Sequence, residues 1–345
     1  MKKIIFIFLL LCVFAAGAFA QVTFSGDAYI GIRLRNAPGS DESITTDHRD
    51  AYNAPPEFNL SATVARENYG ARLVTRYTET LEVRGIYGWV DFLDNSLRLS
   101  MGRFSDGLWV IQLDSDLPEL FVDLITGFRF TYHTPLPGLS VGAAFRSTGQ
   151  DTQAFVEQMI LGGTFTNSIF TAVFAYDLGE NVRTVFGINV PSFGFAGLHD
   201  LSAGFKLMAT SLATWDTRVP GFSGELRMFQ RIGYRISWPL SVNLITSQTI
   251  SGNPDDNYTA LMFGPGVTFR NRHVPNLTAS FRAMLDSPDH FSTMNLTLRP
   301  AIEKSLAGPA LFYVQYELNL PDFGSSNPMD RAINTFGFGI EIRAF

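Results

Sequence analysis

Histidine and carboxylate side chains that could act together in catalysis occur in two short segments. Asp47 and Asp50 flank His48, and Asp286 precedes His290. An Asp–His pair can activate a nucleophile in a hydrolase, although clustered polar residues of this kind are more typical of solvated loops. The chain has no motif with the spacing of a metal site or a phosphate-binding loop. The sequence therefore predicts no enzyme and no cofactor.

The charged residues exclude other classes of protein. Only 17% of the residues are charged, against roughly 25% in a typical soluble domain, while 46% are hydrophobic. The formal net charge is -6 and no basic run occurs, which argues against nucleic-acid binding. The single cysteine, Cys12, excludes a disulfide scaffold.

One acidic segment combines carboxylates with many apolar residues. Residues 105–124 contain no basic residue and five acidic ones: Asp106, Asp114, Asp116, Glu119 and Asp123. The same segment includes Trp109, Leu113 and Phe121 among its apolar residues. A segment this apolar must pack against something, so we expect it to lie against the elements around it.

Those elements alternate in polarity with a period of two. Between Val22 and Arg35 the even positions are apolar or glycine, as expected for a β-strand with one apolar face. The whole chain contains 18 such segments: 22–35, 58–64, 70–79, 84–93, 95–104, 125–133, 138–147, 159–166, 168–177, 182–190, 200–210, 222–238, 240–250, 258–270, 276–285, 291–304, 309–320 and 333–345.

This pattern is typical of a transmembrane β-barrel, although a soluble sandwich or jelly roll also alternates. The segments are longer than the roughly 5–6 residues of an average soluble strand. Short connections such as Glu67-Asn68 alternate with longer ones such as 36–56 and 211–221, as in membrane barrels. We therefore predict an all-β fold: one closed antiparallel barrel of 16–18 strands over residues 21–345.

A barrel in lipid must turn its polar face inward, because a charge facing lipid at mid-bilayer costs about 2–4 kcal/mol. The predicted inward basic set is Arg33, Arg35, Arg72, Arg76, Arg98, Arg129, Arg146, Arg183, Lys206, Arg227, Arg231, Arg235, Arg282, Arg299 and Arg343. The predicted inward acidic set is smaller: Asp27, Asp91, Asp177, Glu225, Glu317 and Glu341. An acidic chain is thus expected to have a basic interior.

The N-terminus has the features of a secretory signal peptide. Lys2 and Lys3 precede an apolar stretch, and Ala18-Phe19-Ala20 forms a cleavage site. We predict a signal peptide over residues 1–20, cleaved between Ala20 and Gln21. A lipoprotein signal at Cys12 is the alternative, but the bulky Leu11 precedes that cysteine.

The acidic segment and its flank resemble those of general bacterial porins. Residues 105–124 would form the third external loop, and Met101-Gly102-Arg103-Phe104 before it is similar to the end of a porin's fifth strand. The resemblance implies that the loop folds into the barrel and faces an arginine cluster across a constriction. The residues implied are Asp114, Asp116 and Glu119, facing Arg33, Arg35, Arg72 and Arg76.

The resemblance also implies partners and a location. It implies a channel for passive diffusion of small hydrophilic solutes and ions in the lipid of the bacterial outer membrane. Phe345 ends the last segment, which resembles the signal read by the barrel assembly machinery, although Phe345 is out of phase with the apolar face. A homotrimer is one candidate assembly, but the short second loop near 80–83 departs from porins whose second loop contacts a neighbouring subunit.

Three other classes of barrel are alternatives to a diffusion channel. A TonB-dependent receptor needs a plug domain and a fatty-acid transporter needs an N-terminal hatch, and a first strand at Val22 leaves no room for either. A structural or adhesin-type barrel with surface-exposed binding loops remains the alternative.

Overall fold

The computed structural model describes most of the chain after the predicted signal peptide. The described residues are 21–39, 43–46, 57–78, 80–104, 109, 113, 126–147, 159–178, 183–210, 225–251, 259–271, 273–274, 276–287, 293–306 and 310–342. Residues 1–20, Phe345 and the two Asp–His segments around His48 and His290 lie wholly or largely outside these ranges. Within the same ranges, no α-helix is long and apolar enough to cross a bilayer.

The described residues form 19 β-strands and two 3-10 turns, at Gly194–Ala196 and Pro328–Arg331. The strands are β1 Gln21–Asn36, β2 Ser43–Thr46, β3 Glu57–Ala65, β4 Tyr69–Tyr77, β5 Leu81–Phe92, β6 Leu97–Arg103, β7 Thr126–His133, β8 Leu139–Arg146, β9 Met159–Thr166, β10 Thr171–Asp177, β11 Arg183–Val190, β12 Leu201–Thr210, β13 Glu225–Ser237, β14 Leu240–Ser251, β15 Thr259–Arg270, β16 Leu277–Ser287, β17 Asn295–Ser305, β18 Ala310–Leu320 and β19 Ile333–Ile342.

These strands close into one antiparallel ring. The first half of β1 pairs with β3, and its second half pairs with β19 on its other edge. From β3 onwards each strand pairs with the next along the chain. Only β2 stands outside the ring, since it pairs with four residues of β1 beyond the end of β3. The ring therefore has 18 strands, which confirms the predicted closed barrel, while β2 was not predicted.

The connections differ in length at the two ends of the barrel, as predicted. At the end we call the turn end, β5 and β6 are joined by a tight turn in which Leu93, Asp94 and Asn95 adopt left-handed backbone angles. In the turn between β9 and β10 at the same end, Asn167 accepts hydrogen bonds from the N–H groups of Ile169 and Phe170. Asx turns and left-handed Asn or Asp residues are typical of tight reversals. The opposite end, the loop end, has the longer connections, such as 104–125 and 211–224.

The outward face of the barrel is apolar and exposed. Ile30, Ile86 and Met101 are 62%, 57% and 59% exposed, although each lies within a strand. Tyr69, Tyr132 and Tyr234 are also exposed and lie near the turn end, where membrane barrels have an aromatic girdle. An apolar band of this kind requires lipid around it, because exposure of so much apolar surface to water is unfavourable.

The inward face is identified by contacts that cross the ring. Phe104 after β6, Ile160 in β9 and Ile245 in β14 are at most 2% exposed and belong to one apolar cluster. Strands this far apart around a ring can share a cluster only inside it. Side chains alternate between the two faces of each strand, so the register that starts from these residues defines which of the remaining strand residues face inward and which face outward.

The register shifts once in the early strands. Val74 of β4 lies opposite Gly85, but Thr75 lies opposite Val83, so Arg84 is an extra residue in β5. A bulge of this kind reverses the faces of the residues beyond it. It places Glu82 opposite Arg76 on the inward face, which simple alternation could not predict.

Candidate pore and constriction

All of the predicted inward basic residues that the structure describes lie on the inward face. Arg33 is opposite Gly337, Arg98 is opposite Asp91, and Arg129 is opposite the fully buried Ala144. The same register continues through the other strands to Arg35, Arg72, Arg76, Arg146, Arg183, Lys206, Arg227, Arg231, Arg235, Arg282 and Arg299. Arg343 lies outside the described residues.

The predicted acidic residues share this face, and several further charged residues join them. Those missing from the sequence prediction are Glu57, Glu82, Asp286, Glu303 and Arg270. Each lies near a strand end or, for Glu82, beyond the bulge. Extending two predicted segments by one residue would have found Glu57 and Asp286. Arg270 and Glu303 lie inside predicted segments, in phase with the inward face, whereas Glu82 depends on the bulge.

Ion pairs fix much of this charged wall. The guanidinium of Arg98 donates two hydrogen bonds to Asp91, at 2.7 and 2.8 Å. Arg146 is 2.9 Å from Asp177, and the two nearest nitrogens of Arg299 are 3.0 and 2.8 Å from Glu317. The bidentate Arg98–Asp91 pair restricts both of its side chains. The wall therefore has charged groups in defined positions.

Other arginines are oriented by neutral groups. Arg231 donates to the amide oxygen of Asn189 at 3.1 Å, and Arg282 donates to that of Asn243 at 3.4 Å. An amide oxygen orients a guanidinium without neutralising its charge. Arg231 therefore contributes positive potential to the interior.

A polar recess of about 290 Å³ lies in the wall beside the predicted arginine cluster. Its lining includes Asp27, Glu57, Asn59, Arg72 and Arg84. The Asn59 amide nitrogen donates to Asp27 at 2.9 Å and to Glu57 at 2.6 Å. Groups of both signs thus face the lumen here and can hydrogen-bond a small polar solute.

The four arginines predicted to face the constriction fall into two groups. Arg72 and Arg76 lie on β4, and Arg76 is opposite Asn59, which is opposite Asp27 on β1. Arg33 and Arg35 lie further along β1, and at roughly 3.3 Å per residue Arg33 is roughly 20 Å beyond Asp27. The two groups are therefore at different heights of the same wall.

The predicted loop carboxylates Asp114, Asp116 and Glu119 lie outside the described residues. Two other residues of the segment 105–124 are described, and both lie inside the ring. Leu113 is 6% exposed, and Trp109 packs against the same apolar cluster. Phe104, which precedes the segment, is 2% exposed beneath the ring of Tyr87, at 5.0 Å between centroids.

Trp109 and Leu113 lie against glycines of the inner wall. A Cβ built on Gly162 of β9 would be 2.4 Å from Cδ2 of Trp109, and one on Gly142 of β8 would be 3.3 Å from Cζ2 of the same ring. A Cβ on Gly204 of β12 would be 2.6 Å from Cδ2 of Leu113. Glycine in a strand often marks such a close approach.

Around these contacts the inner wall is apolar. We call this region the apolar arc; it consists of inward-facing residues on β8–β12, namely Gly142, Ala144, Ile160, Gly162, Val173, Ala175, Val185, Gly204 and Met208. We call the inward faces of β16–β19, β1 and β3–β7 the charged arc, after Arg33, Arg35, Arg72, Arg76, Arg98, Arg129, Arg282 and Arg299. Arg146, Asp177 and Arg183 lie at the loop end of the apolar arc, and Lys206, only 2% exposed, lies within it.

No family model and no characterised protein sequence matches the chain. Solved structures do resemble it. OccK11 (OpdR) of Pseudomonas aeruginosa superposes with a TM-score of 0.61 at 13% identity, over 93% of this chain and 95% of that chain. OpdK of the same species with vanillate gives 0.58 at 11% identity, over 93% and 99%. OccK2 (OpdF) in complex with glucuronate gives 0.61 at 11% identity, over 93% and 97%. These likenesses show that the barrel fold is shared over nearly the whole of each chain.

Proposed function

We propose that this protein is a porin-like channel of the bacterial outer membrane, through which small hydrophilic solutes and ions diffuse passively. The observation that carries the proposal is a closed ring of 18 strands with an apolar exterior and a charged interior. Barrels of 16–18 strands are too wide for side chains to fill and leave an aqueous channel. The apolar exterior requires a bilayer, and bacterial barrels of this kind belong to the outer membrane.

Residues 1–20 serve in this proposal as the cleaved signal peptide, and residues 21–345 as the barrel delivered to the assembly machinery. The apolar exterior predicts heat-modifiable migration on gels and recovery in outer-membrane fractions. Recovery as a soluble periplasmic monomer without detergent would contradict it. Deleting β19 should abolish insertion, because β19 pairs with both β18 and β1 and closes the ring.

The solutes we propose are small organic anions, above all carboxylates. Basic residues outnumber acidic ones on the inward face, and amide groups orient Arg231 and Arg282. Two of the similar structures hold vanillate and glucuronate, which are carboxylates. Guanidinium groups recognise carboxylates through paired hydrogen bonds.

The constriction we propose lies between the carboxylates of the third loop and wall arginines. Asp114, Asp116 and Glu119 would form its acidic side, and Arg33, Arg35, Arg72 and Arg76 its basic side. The support is the interior position of Trp109 and Leu113 in the same segment and of the arginines on the wall. Opposed charges across a narrow passage set selectivity by the field between them.

Single-channel currents in planar bilayers test this function. An open channel should conduct, whereas a structural or adhesin-type barrel should not. The double variant Arg72→Gln/Arg76→Gln should shift the reversal potential in a salt gradient towards cations, and Asp114→Asn/Asp116→Asn/Glu119→Gln should shift it towards anions. Both shifts should shrink as ionic strength rises, because salt screens the charges.

Arg103→Gln is the matched control, because Arg103 lies on the outward face of β6 and is exposed. It removes one positive charge from the chain, against two in the double arginine variant, and none from the interior, so the reversal potential should stay at the wild-type value. If neutralising the loop acids changes neither selectivity nor conductance, those residues do not line the pore. The proposed constriction is then wrong even if the channel conducts.

A further inference from the structure

The part of the inner wall beneath Trp109 is shaped by unusually small side chains. Gly142 pairs with Gly162, Gly162 pairs with Ala175, and Ala175 pairs with Val185. This row crosses four neighbouring strands at one level. The small residues leave a shallow groove in the wall, because neighbouring strands all lack a large inward side chain at this level.

The groove is filled by the indole of Trp109. The ring atoms Cδ2 and Cε3 occupy the space that a Cβ on Gly162 would need, at 2.4 and 2.5 Å from it. The backbone of Trp109 has a φ of 54°, a left-handed conformation that is uncommon for a bulky residue. Such a conformation persists only where surrounding contacts determine it, and the contacts described for Trp109 are those with the wall.

A second contact lies three strands away from the first. Leu113, which is 6% exposed, packs over Gly204 of β12 and belongs to the same cluster as Met208 and Phe229. Two side chains of one short segment therefore contact the same side of the ring. On the other side, Arg72, Arg76 and Arg98 are more exposed than the buried residues of the apolar arc.

We infer that Trp109 and Leu113 are positioning residues that hold the chain at these two positions against the apolar arc and leave the charged arc as the open side of the pore. This inference rests on the proposed function and deepens it. It makes the pore eccentric, so that a solute passes along the arginines of the charged arc. The glycines of β8, β9 and β12 are then needed as the seat of these two side chains.

Cross-linking tests the position without measuring a current. The sequence has one cysteine, Cys12, which the predicted cleavage removes, so introduced cysteines have no competitor. A Cβ on Gly204 is 3.5 Å from Cγ of Leu113, which brings the two Cβ atoms near the separation of about 3.5–4.5 Å found in disulfides. The variant Leu113→Cys/Gly204→Cys should form a disulfide in the folded barrel, detected by peptide mapping under non-reducing conditions. Leu113→Cys/Gly337→Cys, which places the second cysteine on the charged arc, should not.

Conductance tests the consequence. Trp109→Ala should raise single-channel conductance and admit larger solutes, because its segment loses a fixed position. Trp89→Ala is the matched control: Trp89 also faces inward, but it packs on Gly70 and Arg98. It should leave conductance closer to wild type. Equal increases in the two variants would show that loss of any inward indole suffices and would overturn the inference.

A double variant isolates the contact itself. Gly162→Ala should act like Trp109→Ala, because the new methyl group displaces the indole. It should add little when Trp109 is already alanine, apart from its conflict with the carbonyl oxygen of Phe174, 2.7 Å from the built Cβ. Gly337→Ala has space, with its nearest contact at 3.8 Å, and should leave conductance unchanged.

The outcomes separate the two proposals. If wild type does not conduct, the proposed function is wrong, and disulfide formation alone then supports the position of Leu113. If wild type conducts but the Leu113–Gly204 disulfide does not form, the anchor is wrong. An unchanged conductance in Trp109→Ala, or fully additive effects of Gly162→Ala and Trp109→Ala, would likewise overturn it.

Discussion

The two sides of the lumen are built from the same kind of strand but held by different forces. In the apolar arc, Ala144, Ile160 and Val185 are at most 2% exposed and pack beneath Trp109 and Leu113. In the charged arc, Arg98 retains 39% of its side-chain exposure and is held by Asp91. Packing predominates on the first side, apart from the Arg146–Asp177 pair at its loop end, and hydrogen-bonded ion pairs predominate on the second.

This difference shows that the inward face of a wide barrel need not be polar throughout. A polar lining is required only where water reaches the wall, because an unpartnered polar group away from water is costly. Where a chain segment covers the wall, small apolar residues serve better, since they allow close packing without unpaired donors. The distribution of polarity inside the ring therefore records which part of the wall is covered.

A charge placed on the covered side should have the largest effect. Ala175→Glu puts a carboxylate at a position that is 1% exposed and lies opposite the uncharged Gly162 and Val185, and an unpaired buried charge costs several kcal/mol. We expect loss of folded, heat-modifiable barrel or, at least, displacement of Trp109. Gln315→Glu is the control, because Gln315 lies opposite Gly337 on the charged arc and is partly exposed. It should fold at wild-type levels; similar losses in both variants would remove the distinction between the arcs.

On the charged arc, the buried member of an ion pair should matter more than an exposed pair. Asp91→Asn weakens the bidentate hydrogen bonding of Arg98. Hydrogen bonds to charged groups contribute about 1.5–3 kcal/mol to stability, and the contribution here is smaller because Arg98 is partly exposed to solvent. Asp322→Asn, in the exposed pair with Arg331 at 3.1 Å, should cost less than about 1 kcal/mol. Urea unfolding in lipid vesicles measures both free energies. A cost for Asp322→Asn as large as that for Asp91→Asn would contradict this ordering.

Much of the charged arc could be predicted from the sequence because its strands alternate cleanly. Arg33 and Arg35 alternate with the exposed Ile32 and Leu34, and this phase fixes the inward face without any tertiary information. The apolar arc could not be predicted in the same way. In β10 the inward Val173 and Ala175 are as apolar as the outward Phe174, so alternation gives no contrast between the faces.

Two other features depend on tertiary contacts that local pattern does not contain. β2 has only four residues and is ordered by pairing with β1 beyond the end of β3, so its own sequence has too few alternations to indicate a strand. The seats for Trp109 and Leu113 are glycines, which are compatible with either face. A run of small inward residues on successive strands was the available signal for a covered wall, and it becomes visible only when the strands are placed side by side.

The smallest effect we predict comes from changing the geometry of one cation without changing its charge. Arg98 makes two hydrogen bonds to Asp91 and also lies 5.4 Å from the ring of Trp89. Lysine in its place keeps the positive charge but cannot make the planar bidentate pair, and an exposed cation–π contact contributes about 0.5–1 kcal/mol. Arg98→Lys should therefore lower the free energy of unfolding by less than Asp91→Asn does, and the reversal potential should hardly change because the lumen charge is the same. Arg98→Gln separates charge from geometry: it should shift the reversal potential towards cations. If Arg98→Lys shifts the potential as far as Arg98→Gln, the geometry of the pair, and not its charge, governs the field along the charged arc.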